Sequence, residues 1–180
     1  MKLIFVRHGQ TDYNKQGILQ GQEKDIPLNV HGIAQVEEAA QKVPSDVDLI
    51  VSSPLQRAMK TAEIINERLH KQIEFDDQIK EFKYGSLAGK TWPEIIAITG
   101  DDKAEEHDAD VTFDYSPYGG ESATDAKKRV SGWIEKMRQK YPDKKILVAT
   151  HGGVIDTMHA LFPQKESVSR DNAGINVFEF

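Results

Sequence analysis

The 180-residue chain contains no cysteine. Disulfides, thiolate nucleophiles and thiolate metal sites are therefore excluded, and the missing thiols fit a reducing compartment. No apolar run approaches the ~18 residues of a membrane-spanning helix. Positive charge is also in short supply, with 23 Lys and Arg against 29 Asp and Glu and a net charge of −6. A broad basic face for nucleic acid or an anionic membrane is not expected, and any anion must be held by a few local groups. Neither GxGxxG nor GxxxxGK[ST] follows an apolar run, which removes the common nucleotide-binding loops. The chain opens on a strand-like segment, without the basic, apolar and small-residue zones of a secretion signal. A cytoplasmic protein is the expectation.

What is present suits one globular domain over residues 1–180, with 38% hydrophobic and 29% charged residues. Short runs rich in Ile, Val, Leu and Phe predict strands at 2–6, 48–52, 72–75, 145–149 and 175–180. Helical spacing of apolar residues predicts helices at 31–42, 54–70, 91–98, 122–140 and 153–161, with Ser53 capping the second and Pro54 in its first turn. Strands alternating with helices long enough to cross over imply an α/β three-layer sandwich, with a mainly parallel central sheet and helices on both faces. Residues 85–120 break the rhythm. This stretch holds a short helix and then the acidic run GDDKAEEHDADVTFDYSPYGG, and reads as a surface excursion or lid. The last strand, INVFEF, is placed to pair with a second copy as a homodimer if it forms a sheet edge.

Two of the six histidines stand apart. His8, in Arg7-His8-Gly9, and His151, in Thr150-His151-Gly152-Gly153, each end an apolar strand and precede glycine. That is the edge at which α/β proteins build sites. His31, His70, His107 and His159 read as solvated or structural. Paired imidazoles suggest a metal, yet a guanidinium beside His8 opposes a cation and suits a phosphate, which it can hold with two hydrogen bonds. Arg57, at the start of a helix following another strand, is a second arginine within reach of the same edge.

RHGQTDYN, SSPLQRAMKTAE, EFKYGSLAGK, GGES and VATHGGVID, in that order, resemble the histidine phosphatase superfamily in its phosphoglycerate mutase-like branch. The resemblance covers nearly the whole chain. It implies a phosphoglycerate mutase-like fold and a nucleophilic His8, with Arg7, Arg57 and His151 holding the phosphoryl group and Asn14 contacting it. Gln20 and Gly21 match a substrate-facing turn, Tyr84 a substrate-side position, and Glu81 the proton donor and acceptor. Amides at Gly152 and Gly153 are candidate further donors to the anion.

The resemblance further implies a histidine acid-type phosphatase, a phosphoric monoester hydrolase acting on a small phosphorylated metabolite with neither metal nor other cofactor. A mutase, which needs extra cations for a carboxylate, is the alternative, and a non-catalytic phospholigand-binding protein is a third. Phe82 stands where mutases carry Arg, and no Arg occurs between Arg68 and Arg129. Lys83 and Lys90 are the cations expected to serve any second anionic group. Sugar phosphates, phosphoglycerate and ribazole phosphate are all substrates of similar short members, with selection placed in the lid.

Overall fold

The computed structural model describes residues 1–163 and 169–180. Its strands are β1 (Lys2–Arg7), β2 (Leu49–Ser52), β3 (Ile73–Phe75), β4 (Lys145–Thr150) and β5 (Ile175–Glu179). They form one sheet in the order β3-β2-β4-β1-β5. β1, β2, β3 and β4 run parallel, and β5 returns antiparallel along β1 at the sheet edge. The helices are α1 (Asp12–Gln16), α2 (Val30–Lys42), α3 (Gln56–Leu69), α4 (Trp92–Thr99), α5 (Ala104–Ala109), α6 (Ala123–Lys140) and α7 (Gly152–Leu161).

The period-two alternation of β1 shows why the sheet needs helices on both sides. Leu3 and Phe5 pack with Trp133, Ile134 and Met158 of α6 and α7. Ile4 and Val6 turn the other way, onto Val36, Ala62 and Ile65 of α2 and α3. All four β1 residues are essentially inaccessible, and each buried aliphatic or aromatic side chain contributes roughly 1.5–3 kcal/mol relative to exposure. Among the described residues no helix is long and apolar enough to cross a membrane.

Two local expectations are corrected. Helix α3 begins at Gln56, not Pro54, and Ser53 does not cap it. The Ser53 hydroxyl is engaged by His151 at 2.8 Å. The Gln56 amide instead donates to the Asp25 carboxylate, 2.9 Å away, so the cap comes from a different loop. Residues 85–120 are also more than a surface excursion. They carry α4, α5 and two short 3-10 turns. Leu87, Ile95, Ala104, Val111, Phe113 and Tyr115 make a third apolar cluster with Phe82 and Tyr84. The acidic run hides α5 because four of its six residues are polar and only Ala104 is fully buried.

Candidate active site

Strand register decides where the two histidines meet. Arg7 pairs with Thr150 in the parallel β1–β4 ladder, so the next residue of each strand, His8 and His151, emerges at the same edge. The His8 amide extends the ladder by donating to the Thr150 carbonyl at 2.9 Å, and the two ring centroids lie 5.3 Å apart. β2 ends beside β4, with Ser52 opposite Ala149. That places Ser53 against the His151 ring and launches α3, which brings in Arg57.

Gly9 serves packing rather than ligand approach. A Cβ there would stand 2.4 Å from the Gly32 carbonyl oxygen, and one on Gly32 would stand 2.1 Å from the Gln10 carbonyl oxygen. The two glycines let the β1 exit and the start of α2 touch backbone to backbone, which holds His8 from behind.

The His8 ring has a defined tautomer. Its Nδ1 lies 2.8 Å from the Gly9 carbonyl oxygen, which can only accept, so Nδ1 carries the proton and Nε2 keeps its lone pair. Burial, then the charges of Arg57 and Arg7, hold the His8 pKa well below the ordinary imidazole value, against the opposing Gly9 hydrogen bond. Burial first, and then the charges of Arg57, His8 and Arg7, likewise hold the His151 pKa well below the ordinary imidazole value, which favours its neutral form. It can contribute an N–H, and its buried Nδ1 has no protein partner.

Arg57 is almost wholly buried, with its Nε directed at His8 Nε2 across 3.3 Å. Its other nitrogens donate to the Gly21 carbonyl at 2.9 Å and to the Asp25 carboxylate at 3.3 Å. Gly21 has φ +63, the left-handed turn that aims this carbonyl inward. Arg7 donates to the Arg170 carbonyl and keeps a buried Nε without a partner. The Asn14 carboxamide oxygen is consumed by the Thr11 capping box and by Asn172, leaving its NH₂ end as a donor.

Glu81 enters from the loop after β3. Burial raises its carboxyl pKa, against the lowering effects of Arg57, the Phe82 amide, Arg7 and the Gly153 amide. Its Oε1 accepts from Phe82 at 3.0 Å and its Oε2 from Gly153 at 3.4 Å. The Gly153 amide, expected to face the anion, is thus spent on Glu81. A Cβ at Gly153 would come within 2.5 Å of Oε1, so this glycine makes room for the carboxylate. Arg129 fixes the approach to Glu81 by donating to the carbonyls of Gln78 and Lys80 while paired bidentately with Glu121.

Every residue expected at the site except His151 lines one cavity of about 410 Å³. Residues 85–120, where selection was expected, do reach the cavity, but the individual side chains were not singled out. Trp92 and Asp108 come from the α4–α5 region, Asp156 from α7, and Arg170 from the segment before β5. Lys83 and Lys90 do not line it, and Phe82 is buried in the third apolar cluster, that of the cap formed by residues 85–120. Arg170 bonds Asp156 at 2.8 Å and the Ala109 carbonyl at 3.0 Å. Asp108 accepts from the Tyr115 hydroxyl at 2.6 Å, and burial raises its pKa to about 7, with Glu81 and Asp156 adding to the rise.

The model of the histidine phosphatase superfamily (branch 1) matches residues 3–180. The chain belongs to this superfamily. It is 36% identical to the uncharacterized phosphatase PhoE of Bacillus subtilis, over 99% of this chain and 88% of that protein. It is 33% identical to the metal-independent phosphoserine phosphatase of Arabidopsis thaliana, over 98% of this chain and 75% of the relative. The solved structure of a mycobacterial glucosyl-3-phosphoglycerate phosphatase in complex with VO3 superimposes with a TM-score of 0.83 at 29% identity, covering 98% and 90% of the two chains. The fold is phosphoglycerate mutase-like, and these similarities support a histidine phosphatase activity.

Proposed function

We propose that this chain hydrolyses small phosphomonoesters through a phosphohistidine on His8. The observation that carries the reading is the Gly9-fixed tautomer, which leaves the Nε2 lone pair beside the Arg57 guanidinium in the cavity. Nε2 attacks phosphorus in line, an N–P bond forms, and the ester P–O bond breaks with its electron pair leaving on the alkoxide. Glu81, whose raised pKa suits an acid, supplies the alkoxide with a proton. Water then attacks phosphorus and gives a proton to the Glu81 carboxylate. The N–P pair returns to Nε2, and inorganic phosphate departs.

Arg57 and Arg7 offset charge on the phosphoryl oxygens, and positioned cations of this kind contribute on the order of 10³–10⁵ in phosphoryl transfer. Asn14 and neutral His151 add hydrogen-bond donors. The VO3 complex of the mycobacterial relative supports an oxoanion-binding role for the shared fold. Hydrolysis is favoured over mutase transfer because residues 85–120 lend the cavity no arginine, Phe82 lies inside the apolar cluster, and the further arginine on the lining, Arg170, is already paired with Asp156.

Brief mixing with a ³²P-labelled phosphomonoester and an alkaline quench is expected to trap label on the wild-type protein and none on His8→Ala. Full phosphate release by His8→Ala would overturn the mechanism. Phosphate transfer in the presence of 3-phosphoglycerate and 2,3-bisphosphoglycerate, outpacing hydrolysis, would assign a mutase instead.

A further inference from the structure

The two neighbouring imidazoles are held by different nitrogens. On His8 it is Nδ1 that is tied down, by the Gly9 carbonyl. On His151 it is Nε2, which lies 2.8 Å from the Ser53 Oγ. Ser53 is placed by backbone register, since its amide donates to the Ala149 carbonyl at 3.0 Å, and both it and His151 are fully inaccessible. The Ser53 oxygen already accepts the Leu55 amide at 3.3 Å. Among the described residues the Ser53 hydroxyl proton has no acceptor other than His151 Nε2.

A neutral imidazole carries one N–H, and its two tautomers are not equivalent here. With the proton on Nε2, the Ser53 oxygen would accept twice, its own O–H would lack an acceptor, and Nδ1 would present a bare lone pair. With the proton on Nδ1, Ser53 donates to the Nε2 lone pair and only the Nδ1–H is left over. Buried polar groups without partners are costly, so the second arrangement is the favoured one. His151 Nδ1 is itself sealed from solvent without a protein partner, in a ring whose centroid lies 5.3 Å from that of His8. An N–H there attracts a phosphoryl oxygen, whereas a lone pair would repel it.

Resting on the phosphatase reading above, we propose that Ser53 is a positioning residue that fixes His151 as its Nδ1–H tautomer, so that this N–H is given to a phosphoryl oxygen at His8. The two imidazoles then share one tautomer and use it in opposite ways. His8 spends its Nδ1–H on Gly9 and turns a lone pair to phosphorus. His151 spends its lone pair on Ser53 and turns an N–H to the anion.

Long-range ¹H–¹⁵N correlation on protein labelled with ¹⁵N-histidine reads the tautomer at neutral pH, with His151→Gln identifying the resonances. The wild-type protein is expected to show a protonated Nδ1 and a bare Nε2 on His151, and its Nδ1 signal should shift when orthovanadate is added to the concentration that saturates inhibition. A protonated Nε2, or an Nδ1 untouched by vanadate, would overturn the proposal. Ser53→Ala should mix the two tautomers and lower kcat/KM for p-nitrophenyl phosphate by about tenfold or more, as loss of a hydrogen bond to a charged group does. Ser53→Thr, which keeps the hydroxyl, should recover both. In a His151→Gln background Ser53→Ala should add little further loss, because Ser53 acts through that ring. A Ser53→Ala protein that loses activity equally in both backgrounds with its His151 tautomer unchanged would make Ser53 merely structural and sink the assignment. The phosphatase reading fails separately, if wild-type protein neither turns over p-nitrophenyl phosphate nor traps label on His8, whereas the tautomer of the resting protein judges Ser53 on its own.

Discussion

The phosphate end and the far end of the cavity are built by different means. His8, His151 and Ser53 each sit one residue beyond a central strand, so three parallel strands fix their relative positions through backbone register. The far wall is assembled from the α4–α5 cap, helix α7 and Arg170, which are joined by side-chain packing and a few hydrogen bonds. Backbone register tolerates little drift. Side-chain packing can be rebuilt one residue at a time, so the two parts of the cavity can change independently.

The largest break in this contrast should come at Arg57. Arg57→Ala is expected to lower kcat by about 10³-fold on any phosphomonoester, because the lost guanidinium serves the phosphoryl group common to all of them. Steady-state rates on p-nitrophenyl phosphate and on glycerol 3-phosphate should fall by the same factor. A loss confined to one substrate would place Arg57 with recognition of the leaving group.

Adjacent glycines supply a sharper test. Gly153→Ala drives a methyl into Glu81 Oε1, whereas a Cβ on Gly152 meets Arg7 Cζ at an ordinary 3.4 Å. Gly153→Ala should therefore cost on the order of 10² in kcat on substrates with poor leaving groups, as loss of a positioned acid does. Gly152→Ala should stay within a few-fold of the native rate. Equal effects in the two variants would mean that Glu81 is not held by this contact.

Ile95 lies fully buried in the cap cluster, away from the sheet. Ile95→Ala is expected to cost about 2–5 kcal/mol by cavity formation. KM for glycerol 3-phosphate should rise more than kcat falls. A fall in kcat as large as the rise in KM would show that cap and sheet act as one unit.

The smallest effect is a pH dependence. Asp108 has its folded pKa raised to about 7, so the native state holds a proton that the unfolded chain releases near pH 4. Its contribution to stability is present below pH 4 and is lost as pH rises through 7. His8 and His151 act in the opposite sense: their folded pKa values are lowered, so stability is lost as pH falls below the unfolded value near 6.5. Thermal unfolding of Asp108→Asn against wild type at pH 5 and pH 8 isolates the first effect. The Tm difference, variant minus wild type, should be more positive at pH 8, and a pH-independent difference would refute it.

The same contrast explains what could be read from the sequence. All five strands were legible from their apolar runs, and the residues just beyond them inherit that clarity, which is why Arg7, His8 and His151 stood out. Helix α3 was misplaced at its start because its cap, Asp25, lies far away in the chain. Asp108, Asp156 and Arg170 were not singled out, since nothing local marks a side chain whose surroundings come from α4, α5, α7 and the segment before β5. Gly9 and Gly153 were noticed for the wrong reason: what needs their missing side chains is Gly32 and Glu81.

Pairing of β1 with β4 joins nearly opposite ends of the chain, with Lys2 set against Lys145. His8 and His151 have no common location until that long loop closes, a slow step by the usual relation between contact order and folding rate. In refolding, return of turnover should consequently lag the return of helical signal from α3 and α6, so that enzymatic activity serves as a clock for the closing of the β1–β4 pair.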